Sequence, residues 1–333
     1  MGRSLARLVR SRRARILAGA ILLDLLAAEP PERFHPVVWV GRAISALERR
    51  SPREGALAQY LYGAGMSALV VAGAALTATT VQREARRLPL PLAYLVEVWL
   101  LKSTFAVRAL LAAPQPVRRA LESGDLPTAR SALSALVSRR TDDLSPDLIA
   151  AAAIESLAEN VTDSALAPWL AYALFGLPGA AAYRALNTLD SMIGYRNHYE
   201  YLGKAAARAD DVANLVPARL GALLITLAAP AGHGSPRRAL ATAWRHHRRT
   251  ASPNAGWTMA AMAGALGLTL EKTDAYRLGD GRPPVPTDIR RAQRVTAAAL
   301  AAGAISALAA TVLEGSSRLA RHPLPCEGRG TGG

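Results

Sequence analysis

The segment that decides the fold is YLYGAGMSALVVAGAALTATTV, residues 60–81, which carries no charged side chain over 22 positions. An α-helix needs roughly 20 consecutive apolar residues to cross the hydrocarbon core of a bilayer. A second uncharged segment of about that length, VTAAALAAGAISALAATVL, occupies residues 295–313. Both segments predict membrane-spanning helices, although a helix buried in the core of a soluble protein could share this composition.

Three further apolar segments fit this pattern less well. Residues 164–183 are uncharged, but two prolines and two glycines interrupt them. Residues 220–232 reach the required length only if their helix begins near 212, and residues 16–28 are short and contain Asp24. No segment alternates with a period of two residues, so strands are not predicted. We therefore predict an all-α, polytopic integral membrane protein with four or five transmembrane helices and helical polar loops.

The formal charge of +15 comes almost entirely from arginine, since only three of the 40 basic residues are lysines. No zinc-finger spacing or aromatic RNA-binding motif accompanies this charge, so nucleic acid is not predicted as a partner. Basic loops beside apolar segments indicate a lipid bilayer instead, and we expect a multi-pass plasma-membrane protein with cytoplasmic polar loops. The expected organisation is a basic N-terminal segment (1–15), one membrane domain (16–313) and a disordered tail (314–333).

Acidic residues cluster immediately before the interrupted apolar segment. In AAIESLAENVTDSALAP, residues 152–168, Glu155 and Glu159 share a helical face and Asp163 follows one turn later. Like charges one turn apart repel each other, so the pattern favours a cation nearby: an arginine, Mg²⁺ or a cationic substrate. A solvated acidic helix face would show the same spacing.

Two more polar clusters follow the interrupted segment. ALNTLDSMIGY, residues 185–195, places Asn187 and Asp190 on one face, and AARADDVANLVPARL, residues 206–220, places Asp211 and Asn214 at the same spacing. Salt bridges to neighbouring arginines are the alternative explanation for the second cluster. Because the clusters flank residues 164–183, we predict that this segment forms a hairpin or re-entrant element that brings them together.

The sequence lacks several common catalytic motifs. It contains no P-loop, no dinucleotide-binding glycine motif, no zinc-protease helix motif and no nucleophile elbow. The six histidines show no metal-ligand spacing, and the single cysteine, Cys326, cannot form an internal disulfide. The residues alone therefore indicate a site for a phosphorylated or metal-bearing substrate, or a transport path.

The polar clusters, in this order, resemble the CobD/CbiB family of cobalamin-biosynthesis membrane proteins, the adenosylcobinamide-phosphate synthases. The resemblance begins at LLDLLAAEPPERFHPVVWVGR, residues 22–42, continues through the clusters above, and closes with SPNAGW, residues 252–257. It covers residues 16–310. The chain departs from the family at Arg139-Arg140-Thr141, where the family has Arg-Asp-Thr, and at Thr258-Met259, where the family has Pro-Glu.

The resemblance implies an ATP-dependent amide ligation. Aminopropanol, or its O-phosphate, would be joined to the propionate carboxyl on the f side chain of adenosylcobyric acid, giving adenosylcobinamide or its phosphate. It also implies ATP and Mg²⁺ as cosubstrate and metal, and other cobalamin-biosynthesis proteins as partners. The alternatives are a corrinoid transporter, with Asp24, Glu97 and Arg219 lining its path, and a non-catalytic membrane scaffold.

The resemblance also implies which side chains form the site. The expected catalytic residues are Glu155, Glu159, Asp163 and Asp190, and the last three are the expected Mg²⁺ ligands. The expected substrate- and phosphate-binding residues are His35, Asn160, Asn187, Ser191, Arg208, Asp211, Asn214, Arg219 and Asn254.

Overall fold

The computed structural model describes residues 11–27, 29, 31–195 and 198–321, with the backbone alone for 314–321. The helices of these residues are α1 (Arg12–Leu26), α2 (Pro36–Glu48), α3 (Ala56–Ala85), α4 (Leu90–Lys102), α5 (Val107–Ala112), α6 (Gln115–Glu122), α7 (Leu126–Ser134), α8 (Pro146–Val161), α9 (Ala167–Ile193), α10 (Lys204–Ala213), α11 (Leu215–Ala228), α12 (Pro236–His246), α13 (Ala255–Leu266) and α14 (Pro286–Arg321). Helix α14 thus extends eight residues into the segment expected to be a disordered tail.

Four helical stretches are long and apolar enough to cross a membrane: Ala56–Ala85, Pro146–Ile193, Leu215–Gly232 and Pro286–Leu313. Each contains one of the apolar segments singled out from the sequence, which confirms an all-α polytopic membrane protein. The fifth segment, 16–28, lies largely in the 15-residue helix α1. A helix of that length extends only about 22 Å, less than the thickness of the hydrocarbon core.

The long stretch Pro146–Ile193 is a helical hairpin. A straight helix would separate Asp163 from Asp190 by about 40 Å, yet both residues line the same cavity. The chain reverses at Gly176, whose φ of 73° and ψ of −162° lie outside the helical region. Only glycine adopts this region without strain. The prediction that residues 164–183 fold back and join the flanking clusters is therefore confirmed.

The main hydrophobic core surrounds the first arm of this hairpin. Residues 149–154 of α8 are all less than 2 % exposed, and four of these six residues are alanine. A helix that is apolar on every side is buried on every side, and its alanines let neighbouring helices approach closely. Helices α13 and α14 both pack against α8. The first arm is therefore held rigidly, and so are the polar residues at its end.

A second, smaller core holds the other arm of the hairpin. Ala185, Leu189 and Ile193 of α9 are buried against Ile44 of α2 and Met66 of α3. These apolar residues recur at intervals of four along α9, so the remaining faces of the arm carry its polar residues. Packing of this face positions Asp190.

A short antiparallel sheet corrects the expectation that the chain has no strands. Strands β1 (Leu270–Lys272) and β2 (Tyr276–Leu278) pair with Leu270 opposite Leu278, and both leucines are buried. Strands of three residues are too short to show the alternation on which a sequence-based prediction depends. The sheet packs on α8, where it covers the side of the helix that carries Glu155.

Candidate functional site

A polar cavity of about 240 Å³ lies where the two arms of the hairpin meet α10 and the start of α13. Five carboxylates line it: Glu159, Asp163, Asp190, Asp210 and Asp211. Its other polar lining residues are Thr162, Asn214, Ser252, Asn254 and Thr258. No Lys or Arg of the described chain is among the lining residues, so the cavity is strongly acidic.

The first arm ends in a π-helical turn that positions its carboxylates at the cavity. Residues 162–166 form this turn between α8 and α9, next to Glu159 and including Asp163. Single π turns inside helices occur frequently at functional sites. Thr162 also lines the cavity, and its buried hydroxyl has no hydrogen-bond partner. Sequence reasoning missed Thr162, because no sequence pattern used above distinguishes a π turn from a continuous helix.

On the second arm, Asp190 lies beside a glycine. Gly194 follows at the end of α9, and a Cβ at this position would lie 2.1 Å from Oδ1 of Asp190. No side chain fits at that distance, so glycine is what allows the carboxylate of Asp190 to lie against the chain. Gly194 also lines the cavity. Both residues belong to the NTLDSMIGY motif. Their spacing of four residues brings them together at the end of the helix.

A hydrogen-bond network connects Asp163 to Asp210. The Tyr183 hydroxyl donates to Oδ1 of Asn214 at 2.9 Å and lies 3.4 Å from Oδ1 of Asp163. Nδ2 of Asn214 donates to Oδ2 of Asp210 at 2.9 Å, and Oδ1 of Asp210 is buried. Burial, together with the carboxylates of Asp163 and Asp190, raises the pKa of Asp210 to about 7. Asp210 is therefore a buried carboxylate of the cavity wall, held by Asn214 and close to the Asn187 side chain.

Asn254 is fixed at the opposite wall by two contacts. Nη1 of Arg219 donates to Oδ1 of Asn254 at 2.7 Å, and Nδ2 of Asn254 donates to the backbone oxygen of Asp211 at 2.7 Å. The guanidinium of Arg219 also lies 5.3 Å from the centre of the Trp257 ring. Arg219 therefore orients Asn254 and does not itself line the cavity.

Glu155 lies behind the cavity rather than in its wall. It is 4 % exposed, and its Oε2 accepts a hydrogen bond from Nη2 of Arg139 at 2.9 Å. The next arginine, Arg140, has an 86 % exposed side chain and lies 3.7 Å from Asp142. The departure from the family's Arg-Asp-Thr thus falls on the surface, while the arginine that meets the buried carboxylate is kept.

Arg139→Gln should destabilise the folded protein by about 2 kcal/mol, because it removes a charged hydrogen bond from a buried carboxylate. Thermal unfolding of the detergent-purified variant measures this effect. Arg140→Gln removes the same charge from the neighbouring exposed position and should leave the unfolding midpoint unchanged. Equal midpoints for the two variants would contradict a structural role for the Arg139–Glu155 pair.

The remaining residues expected from the sequence lie outside the cavity wall. Asn160, Asn187 and Ser191 hydrogen-bond within their own helices, and Arg208 is exposed. His35 caps the N-terminus of α2 and lies 3.3 Å from Glu29. Their expected roles in substrate and phosphate binding stay predictions.

The three residues expected to line a transport path each contact a different partner. Asp24 lies 3.5 Å from the ammonium of Lys102, which also pairs with Glu29. Glu97 accepts a hydrogen bond from Arg12 at 3.2 Å. Arg219 contacts Asn254, as described above. None of the three lines the acidic cavity.

The acidic cavity fits a Mg²⁺ ion that has few protein ligands. Within the described residues, no three His, Cys, Asp or Glu side chains already converge as a metal-binding group. Mg²⁺ commonly takes only one or two carboxylates, however, and completes its shell with waters and substrate phosphates. Any one or two of Glu159, Asp163 and Asp190 supply the carboxylate oxygens that this mode requires. The donor set therefore fits a metal ion shared with a phosphorylated substrate better than a preformed cage.

Comparison with known proteins identifies one family along most of the chain. The CobD/Cbib protein family model matches residues 17–303. A cobalamin biosynthesis protein CobD of Dehalococcoides mccartyi is 42 % identical over 81 % of this chain and 88 % of the relative. A probable CobD of Pyrococcus furiosus is 42 % identical over 83 % and 91 %, and a CobD of Klebsiella pneumoniae 41 % over 77 % and 82 %. No solved structure matches the chain. On its matched length and these identities, the chain belongs to the CobD/Cbib protein family.

Proposed function

We propose that the protein acts in cobalamin biosynthesis as an adenosylcobinamide-phosphate synthase. It would join aminopropanol, or its O-phosphate, to the f-side-chain carboxyl of adenosylcobyric acid with consumption of ATP. The observation that supports this proposal best is the single cavity lined by five carboxylates, into which three separate sequence clusters converge. The relatives' names, which refer to cobalamin biosynthesis, support the pathway.

The proposed reaction has two steps. A carboxylate does not condense with an ammonium in water, so the γ-phosphoryl group of ATP is first transferred to the corrinoid carboxylate and ADP leaves. The amine then attacks the acyl carbon, the C–O bond to phosphate breaks, and inorganic phosphate leaves as the amide forms. The ammonium loses one proton before it attacks and a second as the C–N bond forms, so that one N–H remains in the amide, and a carboxylate acting as general base would accept one of the two protons.

The acidic wall suits both the metal and the amine. Mg²⁺ bound by one or two of Glu159, Asp163 and Asp190, with water and phosphate oxygens completing its shell, would neutralise phosphate charge. The ammonium of aminopropanol would pair with the carboxylates of α10 in the cavity wall, Asp210 and Asp211. Since no basic side chain of the described residues lines the cavity, phosphate groups would be met by the metal and by neutral donors such as Asn254 and Ser252.

We also propose a membrane orientation, which rests on charge. The helix and turn that precede the cavity residues Ser252 and Asn254 carry Arg245, Arg248 and Arg249. Short loops rich in arginine remain on the cytoplasmic side of the plasma membrane. We therefore place the mouth of the cavity in the cytoplasm, where ATP is available.

A reconstituted assay tests the proposed function. Purified protein in detergent is given adenosylcobyric acid, ATP, Mg²⁺ and either aminopropanol or its phosphate, and corrinoid product and ADP are quantified. We expect ADP and amide product in equal amounts, and the better amine identifies the acceptor. Absence of product, with activity restored only by a second cobalamin-biosynthesis protein, would favour the scaffold alternative.

Metal removal gives a separate prediction. Chelation with EDTA should abolish product formation, and added Mg²⁺ should restore it, because phosphoryl transfer requires neutralised phosphate charge. The melting temperature should change little, since the hydrophobic cores are formed without the metal. Unchanged turnover in excess EDTA would contradict the proposed magnesium requirement.

A further inference from the structure

A second cavity lies on the other side of the hairpin's second arm. It is an open groove of about 560 Å³ between helix α2 and Met192. Its lining residues are Val38, Gly41, Arg42, Ser45, Arg49 and Met192. No carboxylate belongs to this set, so the groove is basic where the first cavity is acidic.

The amphipathic character of α2 fixes the direction of its arginines. Ile44 is fully buried in the second core, and Val40 and Leu47 pack beside it. These three residues define the inner face of the helix, which leaves Arg42 and Arg49 on the groove side. The two arginines are two turns apart, a rise of about 10.5 Å along the axis. Both are exposed, and neither forms an ion pair with a carboxylate of the described residues.

The flank of the groove has the composition of a membrane interface. Phe34 is 51 % exposed and Trp39 is 48 % exposed, and the guanidinium of Arg33 lies 4.7 Å from the Phe34 ring centre. Exposed aromatic rings next to arginines are typical of segments at the level of lipid headgroups. With 13 residues, α2 is too short to cross a bilayer. A helix of this kind lies in the interface plane.

We propose that this groove binds the headgroup of an anionic phospholipid. The phosphate would be held by Arg42, Arg49 and the Ser45 hydroxyl, and the apolar part of the lipid would contact Val38 and Met192. Two cations beside an apolar floor complement an anionic amphiphile, whereas a zwitterionic lipid would bring its own ammonium group beside the two guanidinium groups. Met192 lies two residues from Asp190, so the bound lipid contacts the arm that carries a cavity carboxylate. This site does not depend on the proposed reaction.

Lipid binding by matched variants tests the site. The double variant Arg42→Gln/Arg49→Gln is compared with Arg50→Gln/Arg53→Gln, which removes the same charge from exposed positions outside the groove. Binding of phosphatidylglycerol and phosphatidylcholine to each detergent-purified protein is measured by native mass spectrometry. At about a five- to sixfold loss per arginine, phosphatidylglycerol affinity should fall about thirtyfold in the first variant only. Unfolding midpoints verify that both variants are folded.

Two other outcomes would overturn the proposal. An equal loss in both double variants would show that binding follows net charge and not the groove. Displacement of phosphatidylglycerol by ATP or aminopropanol phosphate, with a raised KM for that compound in the groove variant, would assign the groove to a soluble phosphate. Equal binding of phosphatidylcholine and phosphatidylglycerol by the unmodified protein would also contradict an anion site.

Discussion

Asp190→Ala should reduce amide formation below detection, by at least about a thousandfold, while the protein still accumulates in the membrane. Asp190 is the only cavity carboxylate on the second arm of the hairpin, and Gly194 leaves space for its oxygen. Loss of one preorganised charged group at a reaction centre costs about a hundredfold to a thousandfold in rate, and loss of a shared metal ligand adds to this. The measurement is product formation per mole of purified protein.

Asp142→Ala is the matched control for this prediction. It removes the same side chain from a surface position, where the carboxylate is 74 % exposed. This variant should retain full activity. Full activity of the Asp190 variant in the same assay would remove Asp190 from the proposed mechanism, and equal loss in both variants would point to a general effect of lost negative charge.

Gly176→Val should prevent the helical hairpin from forming correctly. Valine is strained at φ 73° and ψ −162°, and a Cβ at this position would lie 3.3 Å from the guanidinium of Arg13. Backbone strain and overpacking together cost about 3–5 kcal/mol, a large fraction of the stability of a typical protein. We expect little folded protein, and no activity in what remains, because the two arms no longer bring Asp163 to Asp190.

Gly65→Val and Gly73→Val are suitable controls in helix α3. A Cβ added at either position meets no atom within 4 Å, and both residues lie inside a regular helix. Folded yield, measured by size-exclusion chromatography in detergent, should remain close to that of the unmodified protein. A Gly176 variant that is folded and fully active would contradict the hairpin as the element that assembles the site.

The sequence predicted part of the candidate site and not the rest. Charge spacing on a helix identified Glu159 and Asp163, because residues four apart share a face whatever the tertiary structure is. The same rule also selected Glu155, which instead points to Arg139 behind the cavity. Helical spacing identifies a common face but not the neighbour that the face meets.

Two kinds of residue were beyond sequence reasoning. Thr162 reaches the cavity through a π turn, and Tyr183 reaches Asp163 because the chain reverses between them. The β1–β2 sheet is likewise too short to leave a periodic signal. Each case depends on contacts between residues that are distant along the chain or on a local irregularity that composition does not encode.

The sequence by itself predicted that this protein lies in a lipid bilayer and consists of α-helices. Long uncharged segments predict a protein that spans a bilayer, and they predict helices, since a backbone in hydrocarbon must satisfy its own hydrogen bonds and a helix does so within one segment. The order of the polar motifs indicated the family. Only the tertiary structure decided which polar residues meet, because the reversal at Gly176 converts a separation of about 40 Å into a shared cavity wall. It also separated the acidic cavity from the basic groove on α2, since the packing of Ile44 against α9 determines which face of each helix is left for a ligand.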